Sequence, residues 1–206
     1  MQGKFISFEG TEGVGKTTAI EALITRLVDR GIQVVHTREP GGSELAEQLR
    51  QLFLNPNANM NADTEVLLMF AARSDHLHQV ILPAIKSGKW VVSDRFFDST
   101  VAYQGFGRYH GKQAALAKIE LLIDQFVPIY PDVTLWLDLD VVTGMQRAAK
   151  RSAADRLEAN DIAFFERVYQ GLVYQHSQHP NRIHRIDANG TVAEVAVRID
   201  TALGLD

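Results

Sequence analysis

Short apolar runs alternate with longer segments of helical periodicity along the whole chain. The runs rich in β-branched and aromatic residues predict strands at 5–9, 33–37, 90–94, 133–138 and 182–187. Between them, apolar residues recur every three or four positions and predict helices at 17–30, 43–54, 62–87, 112–126, 141–150, 162–176 and 192–203. This alternation is typical of an α/β fold, with a parallel sheet flanked by helices on both faces.

Length and composition fit one such domain. The 206 residues are enough to bury a substantial core, so we expect a single domain over 1–206. The absence of cysteine excludes disulfides and thiol catalysis. A formal net charge of −4 argues against broad nucleic-acid binding, which needs a basic face. No run approaches the roughly 18 apolar residues of a membrane span, and signal-peptide features are missing, so no membrane partner and a cytoplasmic location are expected.

The most specific motif lies between the first predicted strand and the first predicted helix. Residues 10–17 read GTEGVGKT and match the phosphate-loop pattern GxxxxGK[ST]. Glycines let such a loop turn its backbone N–H groups toward phosphate, Lys16 adds a positive charge, and Thr17 can offer its hydroxyl to Mg²⁺. The predicted phosphate contacts are Gly10, Thr11, Glu12, Gly13, Val14, Gly15, Lys16 and Thr17.

Charged residues also follow the second and third predicted strands, at the sheet edge where ligands bind. Asp94 ends an apolar run and suits Mg²⁺ or its waters; alternatively, it caps the next helix. Arg95 has the shape for bidentate phosphate binding. Arg38, in the turn TREPGG at 37–42, is another candidate anion contact; the alternative is a surface turn in which Arg38 pairs with Glu39.

The long middle helix carries a candidate base-binding pair. Phe70 and Arg73 lie three residues apart and project from one face, which suits a flat base with carbonyl oxygens. The alternative is a core phenylalanine beside a surface arginine. On the same helix, His76 and His78 point away from each other, so a metal site is not expected there.

A second basic cluster lies late in the chain. Arg147, Lys150 and Arg151 follow helical spacing just before the small residues at 152–154. This pattern predicts a mobile flap whose cations neutralise charge during phosphoryl transfer. The alternative is an ordinary solvated basic face.

Five motifs in order resemble bacterial thymidylate kinases over essentially the whole chain: the phosphate loop, TREPGG at 37–42, FAAR at 70–73, DRFFDS at 94–99 and AYQG at 102–105. The resemblance implies a P-loop kinase fold with a five-stranded parallel sheet and a mobile lid at about 147–157. It also implies ATP- and Mg²⁺-dependent phosphorylation of thymidine 5′-monophosphate (dTMP) to the diphosphate, a step toward thymidine triphosphate, usually by a homodimer.

The resemblance also assigns roles to individual residues. Arg38 and Arg95 would grip the acceptor phosphate, and Arg73 would donate to a thymine carbonyl. Phe70 would stack on the base, although many relatives place this aromatic residue one position earlier, where Met69 stands. Ser99, Thr100 and Gln104 would lie near the base, and Tyr103 would lie against the sugar. Lys16 would contact the transferred phosphoryl group, and Asp94 would help to bind Mg²⁺.

Glu12 places a carboxylate in a loop that attracts phosphate and therefore requires a compensating partner. The resemblance implies that Glu12 faces the acceptor sugar and metal region. Some relatives carry an arginine in this loop, but residues 11–14 contain none. The catalytic cation is therefore expected from the lid, from Arg147 or, preferentially, Arg151. Rival hypotheses are a kinase for another base or nucleoside, and a nucleotide-dependent switch or binding module.

Overall fold

The computed structural model describes residues 3–150, 156–157 and 160–205. Its five strands form one parallel sheet in the order β2-β3-β1-β4-β5. They are β1 (Phe5–Glu9), β2 (Val34–Arg38), β3 (Trp90–Asp94), β4 (Val133–Asp138) and β5 (Ile183–Asp187). The predicted five-stranded parallel sheet is confirmed, with β2 and β5 each beginning one residue later than expected. The order reverses at the central strand β1, which opens a ligand crevice beyond its carboxyl end.

Helices cover both faces of this sheet. The described residues form α1 (Lys16–Asp29), α2 (Glu44–Leu54), α3 (Ala62–His76), α4 (Leu82–Lys86), α5 (Phe97–Thr100), α6 (Gln113–Phe126), α7 (Val141–Ala149), α8 (Ile162–Gln178) and α9 (Val192–Leu203). Side-chain caps fix several starts, including Ser43 for α2 and Asn61 for α3. Thr191 and Glu194 form a reciprocal capping box at α9. No helix among the described residues is long and apolar enough to cross a membrane.

The helix predicted over 62–87 is interrupted by a wider turn. A π-helical segment, Leu77–Ile81, joins α3 to α4, and the Leu82 N–H donates to the carbonyl of Leu77, five residues earlier. Pro83 follows at once and has no N–H to donate. The helix therefore continues past the proline with a changed hydrogen-bond pattern.

The hydrophobic pattern did not reveal a helix over 97–108. There, α5 continues directly into a π-helical segment, Val101–Arg108. Gly105 and Gly107 lower the helix propensity of this segment, yet close packing explains them. A Cβ on Gly107 would lie 2.6 Å from Phe164 of α8, and a Cβ on Gly171 of α8 would lie 2.6 Å from Ala102. Small residues on both sides therefore let the two helices approach closely.

The core divides into layers on the two sheet faces, as the alternation of a strand requires. Ile6 and Phe8 of β1 pack with Leu23 of α1 and Ile199 of α9 on one face. Phe5 points the other way and packs among residues of α3, α5 and α6. Trp136 anchors a third cluster against α8. The sheet beneath the crevice is thus packed against helices on both faces.

A buried ion pair ties α5 to the sheet and leads to a stability prediction. Asp98 is fully buried and accepts from both terminal nitrogens of Arg182, each at 2.7 Å. Since Arg182→Ala leaves a buried carboxylate without its cation, we expect the free energy of unfolding to fall by about 3–5 kcal/mol. Urea denaturation measures it.

Arg185→Ala is the matched control. Arg185 pairs with Asp138 at 2.7 Å, but its side chain is 49% exposed. An exposed pair contributes about 0–1 kcal/mol, so this control is expected to change stability little. Equal losses in the two variants would contradict the assignment of Asp98–Arg182 as a stabilising buried pair.

Candidate functional site

The phosphate loop connects β1 to α1 and lies at the crevice. Lys16 is the first residue of α1, and its Nζ donates to the carbonyls of Gly10 (3.1 Å) and Thr11 (3.0 Å). Burial lowers the pKa of the Lys16 amino group, and the charge of Arg95 lowers it further, against the opposing effect of nearby carboxylates. An anionic phosphate beside Lys16 would favour its charged form.

Glycine is required at the centre of this loop. Gly13 has a φ of 72°, in the left-handed region. A Cβ there would lie 1.9 Å from the carbonyl oxygen of Gly144 in α7, and a Cβ on Gly144 would lie 2.4 Å from the carbonyl oxygen of Glu12. The loop and α7 therefore meet backbone to backbone.

Glu12 has the compensating partner that its position in the loop requires. Its Oε1 accepts from Arg95 Nη2 (2.8 Å) and from the Tyr103 hydroxyl (2.8 Å). The Arg95 guanidinium also stacks over the Tyr103 ring, 4.7 Å from its centroid. Burial raises the pKa of Tyr103 well above its usual value, with Glu12 contributing, so the hydroxyl stays protonated and donates. Arg95 thus offsets the negative charge of Glu12.

Arg95 adopts a backbone conformation that non-glycine residues rarely take. Its φ is 70°, and its N–H donates to the carbonyl of Phe8 (2.9 Å) while Ser93 Oγ donates to its carbonyl (2.7 Å). Nη1 then reaches the carbonyl of Gly10 (2.9 Å) and Ser99 Oγ (3.1 Å). This strained residue therefore carries its guanidinium from the end of β3 to the phosphate loop.

Glu9 is a site residue that sequence reasoning missed. It ends β1, is buried, and accepts from the N–H of Phe96 (2.8 Å) and from Ser99 Oγ. Burial raises the pKa of Glu9 to about 7, and Asp98 raises it too, whereas Arg95 and the hydrogen bonds act in the opposite direction. Glu9 joins β1 to the segment that carries Arg95. Its position immediately before the phosphate loop was the available sequence signal.

Asp94 and Thr17 form the candidate cation contact. Asp94 ends β3, and its Oδ1 is buried with no hydrogen-bond partner among the described residues. Thr17 is exposed in the first turn of α1. No group of three or more His, Cys, Asp or Glu that could hold a metal ion occurs in the described part of the chain. A single carboxylate, a hydroxyl and substrate phosphates suit Mg²⁺, which keeps several of its waters.

A cavity of about 310 Å³ brings most of the predicted site residues together. Its lining includes Glu12, Gly13, Val14, Gly15, Lys16, Thr17, Arg38, Arg73, Asp94, Arg95, Ser99, Thr100, Tyr103 and Gln104. The lining also includes Arg50, which sequence reasoning missed and whose Nη1 donates to the carbonyl of Pro40 (2.7 Å). One space is therefore bordered by the phosphate loop, Asp94 and several arginines.

Arg73 lies buried in the wall of this cavity, between Glu39 and Thr100. Nε donates to Glu39 Oε2 (2.7 Å), and Nη2 donates to Thr100 Oγ1 (2.9 Å). The guanidinium also lies over the rings of Phe70 and Phe96. Nη1 is buried and has no hydrogen-bond partner among the described residues. One donor group of Arg73 thus lies buried in the cavity wall without a protein acceptor among the described residues.

The two candidates for the base platform occupy different environments. Met69 lines the cavity, whereas Phe70 is buried in the core cluster with Phe5, Val66 and Leu77. Phe70 contacts the Arg73 guanidinium at 5.1 Å from its ring centroid. The structure thus places Phe70 behind Arg73, and Met69 beside the open space.

The alternative pairing of Arg38 with Glu39 is wrong. Arg38 is 55% exposed and pairs with Glu47 of α2 (3.0 Å), whereas Glu39 is buried against Arg73. The sharp turn after β2 sends these neighbouring side chains in opposite directions.

The predicted lid is described only in part. Arg147 is exposed on α7 and lines a smaller cavity of about 120 Å³ on the α1 side of the phosphate loop. Arg151 lies outside the described residues. Arg156 is described: its Nη1 donates to Glu65 (2.7 Å) and its Nε to the carbonyl of Phe53 (2.7 Å). Of the two lid arginines expected to be catalytic, the structure thus shows Arg147.

The parallel sheet, its phosphate loop and the charged cavity define a kinase of the P-loop class. The family model described as thymidylate kinase matches residues 8–199, and the chain belongs to the thymidylate kinase family. A thymidylate kinase of Psychrobacter sp. (strain PRwf-1) is 64% identical over 197 residues, covering 96% of this chain and 95% of the relative. One from Acinetobacter baylyi is 52% identical, covering 89% and 90%.

A solved structure supports the same family assignment. The crystal structure of thymidylate kinase from Ehrlichia chaffeensis superposes with a TM-score of 0.79 at 32% identity, covering 98% of this chain and 99% of that one. The chain is therefore a phosphotransferase that converts dTMP to the diphosphate, with ATP as the phosphoryl donor.

Proposed function

We propose that dTMP occupies the 310 Å³ cavity while the phosphate loop holds the phosphates of ATP. The observation that carries this proposal is the arrangement of charge around one space. Lys16 and Arg95 contact the phosphate loop, and Arg73, whose Nη1 has no partner among the described residues, contacts Thr100 in the wall of the same cavity. A nucleotide placed between them would direct its phosphate to the loop and its base to Arg73.

The base end offers a donor and an acceptor. Gln104 lines the cavity, and its amide nitrogen donates to the buried Glu65 (3.1 Å), which leaves its carbonyl oxygen for a ligand. Thymine carries a carbonyl at C4 and an N–H at N3, which match Arg73 Nη1 and the Gln104 carbonyl. We assign the apolar platform to Met69, since it faces the cavity.

The phosphate end holds the acceptor by charge. In this proposal Arg95 is the primary contact of the acceptor phosphate. The exposed Arg38 leaves its ion pair with Glu47 and binds the same phosphate. Tyr103 limits the space beside Glu12, where the acceptor sugar would lie. An acceptor phosphate is already a competent nucleophile, so positioning and charge neutralisation supply most of the catalysis and no strong base is required.

Mg²⁺ fits the free Oδ1 of Asp94 together with the hydroxyl of Thr17. When bound, the ion would neutralise charge on the donor phosphates. Asp94 is held at the end of β3, where its carbonyl accepts from the N–H of Glu39 (2.9 Å). The backbone that carries this carboxylate is therefore fixed at the edge of the sheet.

The smaller cavity is the proposed site of the donor nucleoside. It shares Val14 and Gly15 with the 310 Å³ cavity, so the phosphate loop separates the two spaces. Its other lining residues include small side chains such as Ala22 and Ala196, with Arg147 among them. This placement would let donor and acceptor meet at the loop from opposite sides.

Arg147 and Arg151 are the proposed catalytic cations of the lid at about 147–157. The phosphate loop has no arginine between Thr11 and Val14, and Arg95 is engaged by Glu12. A cation from the lid would stabilise the charge on the transferring phosphoryl group.

Two further expectations stay predictions: that the protein forms a homodimer and that it is cytoplasmic. Light scattering of the purified protein would measure its oligomeric state.

Two variants separate these roles. We expect Arg73→Ala to raise KM for dTMP by about 10- to 100-fold, as the loss of a charged hydrogen bond implies. We expect Arg151→Ala to lower kcat by about 10³-fold while KM for dTMP changes little. Steady-state assays of ADP formation measure both.

Arg30→Ala is the matched control, since Arg30 is exposed at the end of α1. Unchanged turnover in Arg151→Ala would exclude this residue as the catalytic cation. An unaltered KM and an unaltered preference for thymine over cytosine in Arg73→Ala would place the base elsewhere.

A further inference from the structure

Two buried polar residues next to Arg73 have no role in the proposed function: Glu39, which contacts Arg73, and His76, which contacts Glu39. Glu39 follows β2 and is 5% exposed; His76 ends α3 and is fully buried. The carboxylate of Glu39 accepts from Arg73 Nε (2.7 Å) through Oε2 and from His76 Nδ1 (3.1 Å) through Oε1. Both oxygens are thus occupied by residues three positions apart on one helix.

The far side of the histidine ring is fixed as well. His76 Nε2 lies 2.6 Å from the hydroxyl of Thr37 in β2. Since a carboxylate only accepts, Nδ1 must carry the proton, and Nε2 can accept from the Thr37 hydroxyl. The result is a continuous series of hydrogen bonds from Thr37 through His76 and Glu39 to Arg73.

The turn after β2 is shaped around this series. A Cβ on Gly42 would lie 2.4 Å from His76 Nε2 and 2.5 Å from Thr37 Oγ1. Gly42 therefore leaves the space that the imidazole fills. Three residues of the segment TREPGG, Thr37, Glu39 and Gly42, thus surround His76, which lies 34 or more positions further along the chain.

We propose that Glu39 and His76 are positioning residues that orient Arg73 and thereby set the selectivity for a 4-oxo pyrimidine. This inference rests on the proposed contact between Arg73 and the base. A guanidinium only donates hydrogen bonds, so a fixed Nη1 donates to the C4 carbonyl of thymine and disfavours cytosine, whose C4 amino group is itself a donor. An Arg73 that can rotate would discriminate less, because it could reach other acceptors of the wrong base.

His76→Leu and His76→Asn form a matched pair, because the two side chains have the same branching and number of heavy atoms. Asparagine retains a donor near the position of Nδ1, whereas leucine retains none. We expect His76→Leu to raise KM for dTMP about tenfold and to lower the ratio of kcat/KM for dTMP over dCMP by a similar factor, with kcat changed less than about threefold. His76→Asn is expected to restore most of both losses.

A second comparison separates this inference from the proposed function. In an Arg73→Ala background, His76→Leu is expected to cause no further loss of selectivity, because it acts through Arg73. If Arg73→Ala leaves selectivity unchanged, the proposed base contact fails. If Arg73→Ala lowers selectivity but His76→Leu does not, the positioning role alone is overturned.

Folding is monitored by thermal unfolding of every variant. The control His78→Leu changes an exposed histidine two residues further along and is expected to leave KM and selectivity unchanged. If His76→Leu does not fold, Thr37→Val removes only the hydroxyl at Nε2 and is expected to lower the same ratio about threefold. Equal values for His76→Leu and His76→Asn, or an unaffected ratio in Thr37→Val, would overturn the proposal.

Discussion

Lys16→Ala is expected to lower kcat by about a thousandfold, the scale of losing one charge that stabilises a phosphoryl-transfer transition state. The Lys16 ammonium is buried beneath the phosphate loop and donates to the carbonyls of Gly10 and Thr11. Those bonds hold it at the phosphate loop, which binds the donor phosphates in the proposed site. We therefore expect KM for dTMP to change by less than about threefold.

Lys86→Ala provides the control, because Lys86 is exposed on α4. Lys16→Arg adds a second comparison, since it keeps the charge but replaces a compact ammonium with a planar group. A single-turnover measurement of ADP formation isolates the chemical step from product release. If Lys16→Ala weakened dTMP binding as much as it slowed turnover, Lys16 would belong to the acceptor site.

Arg95→Lys is expected to lower kcat/KM for dTMP by about 10²-fold, since lysine cannot reproduce the two-pronged contact. Arg95 Nη2 bonds Glu12 while Nη1 bonds Gly10 and Ser99, so the guanidinium fixes three partners at once. Lysine at this position has the same unfavourable positive φ as arginine. The comparison therefore measures the effect of replacing the guanidinium by an ammonium group.

Variants of Glu12, the ion-pair partner of Arg95, test whether Arg95 offsets the negative charge in the phosphate loop. In Arg95→Ala, the Glu12 carboxylate loses a cation at 2.8 Å and repels incoming phosphate, so we expect a loss of about 10³-fold or more in kcat/KM. Adding Glu12→Gln removes that charge and should recover about tenfold, although Glu12→Gln alone lowers activity. Additive losses in the double variant would show that Arg95 does not offset Glu12.

The phosphate loop and the sheet could be predicted because their signals are local. A glycine-rich motif between an apolar strand and an amphipathic helix specifies its own geometry, and the strands at Phe5–Glu9 and Trp90–Asp94 coincide with the predicted ones. The requirement for a partner of Glu12 was also predictable from charge alone. Its identity as Arg95 and Tyr103, more than 80 residues away, depends on the fold.

The features that the sequence did not predict all depend on packing between segments that are distant along the chain. The helix over 97–108 contains glycines that disfavour it locally, and contacts with α8 stabilise it. From the sequence, Glu39 is only a possible partner of Arg38, and helical spacing predicts only that His76 and His78 point in different directions. That direction is confirmed, because His76 is buried and His78 exposed. The bond between Glu39 and His76 joins residues 37 positions apart, which no local pattern reveals.

The contact between Gly13 and Gly144 has a thermodynamic consequence. Because α7 supports the phosphate loop backbone to backbone, the loop is held in shape by the folded protein itself. The conformational entropy lost in ordering it is therefore lost during folding and does not reduce the affinity for ATP. A larger residue at 144 would separate these two backbones and transfer that entropy loss to the binding step.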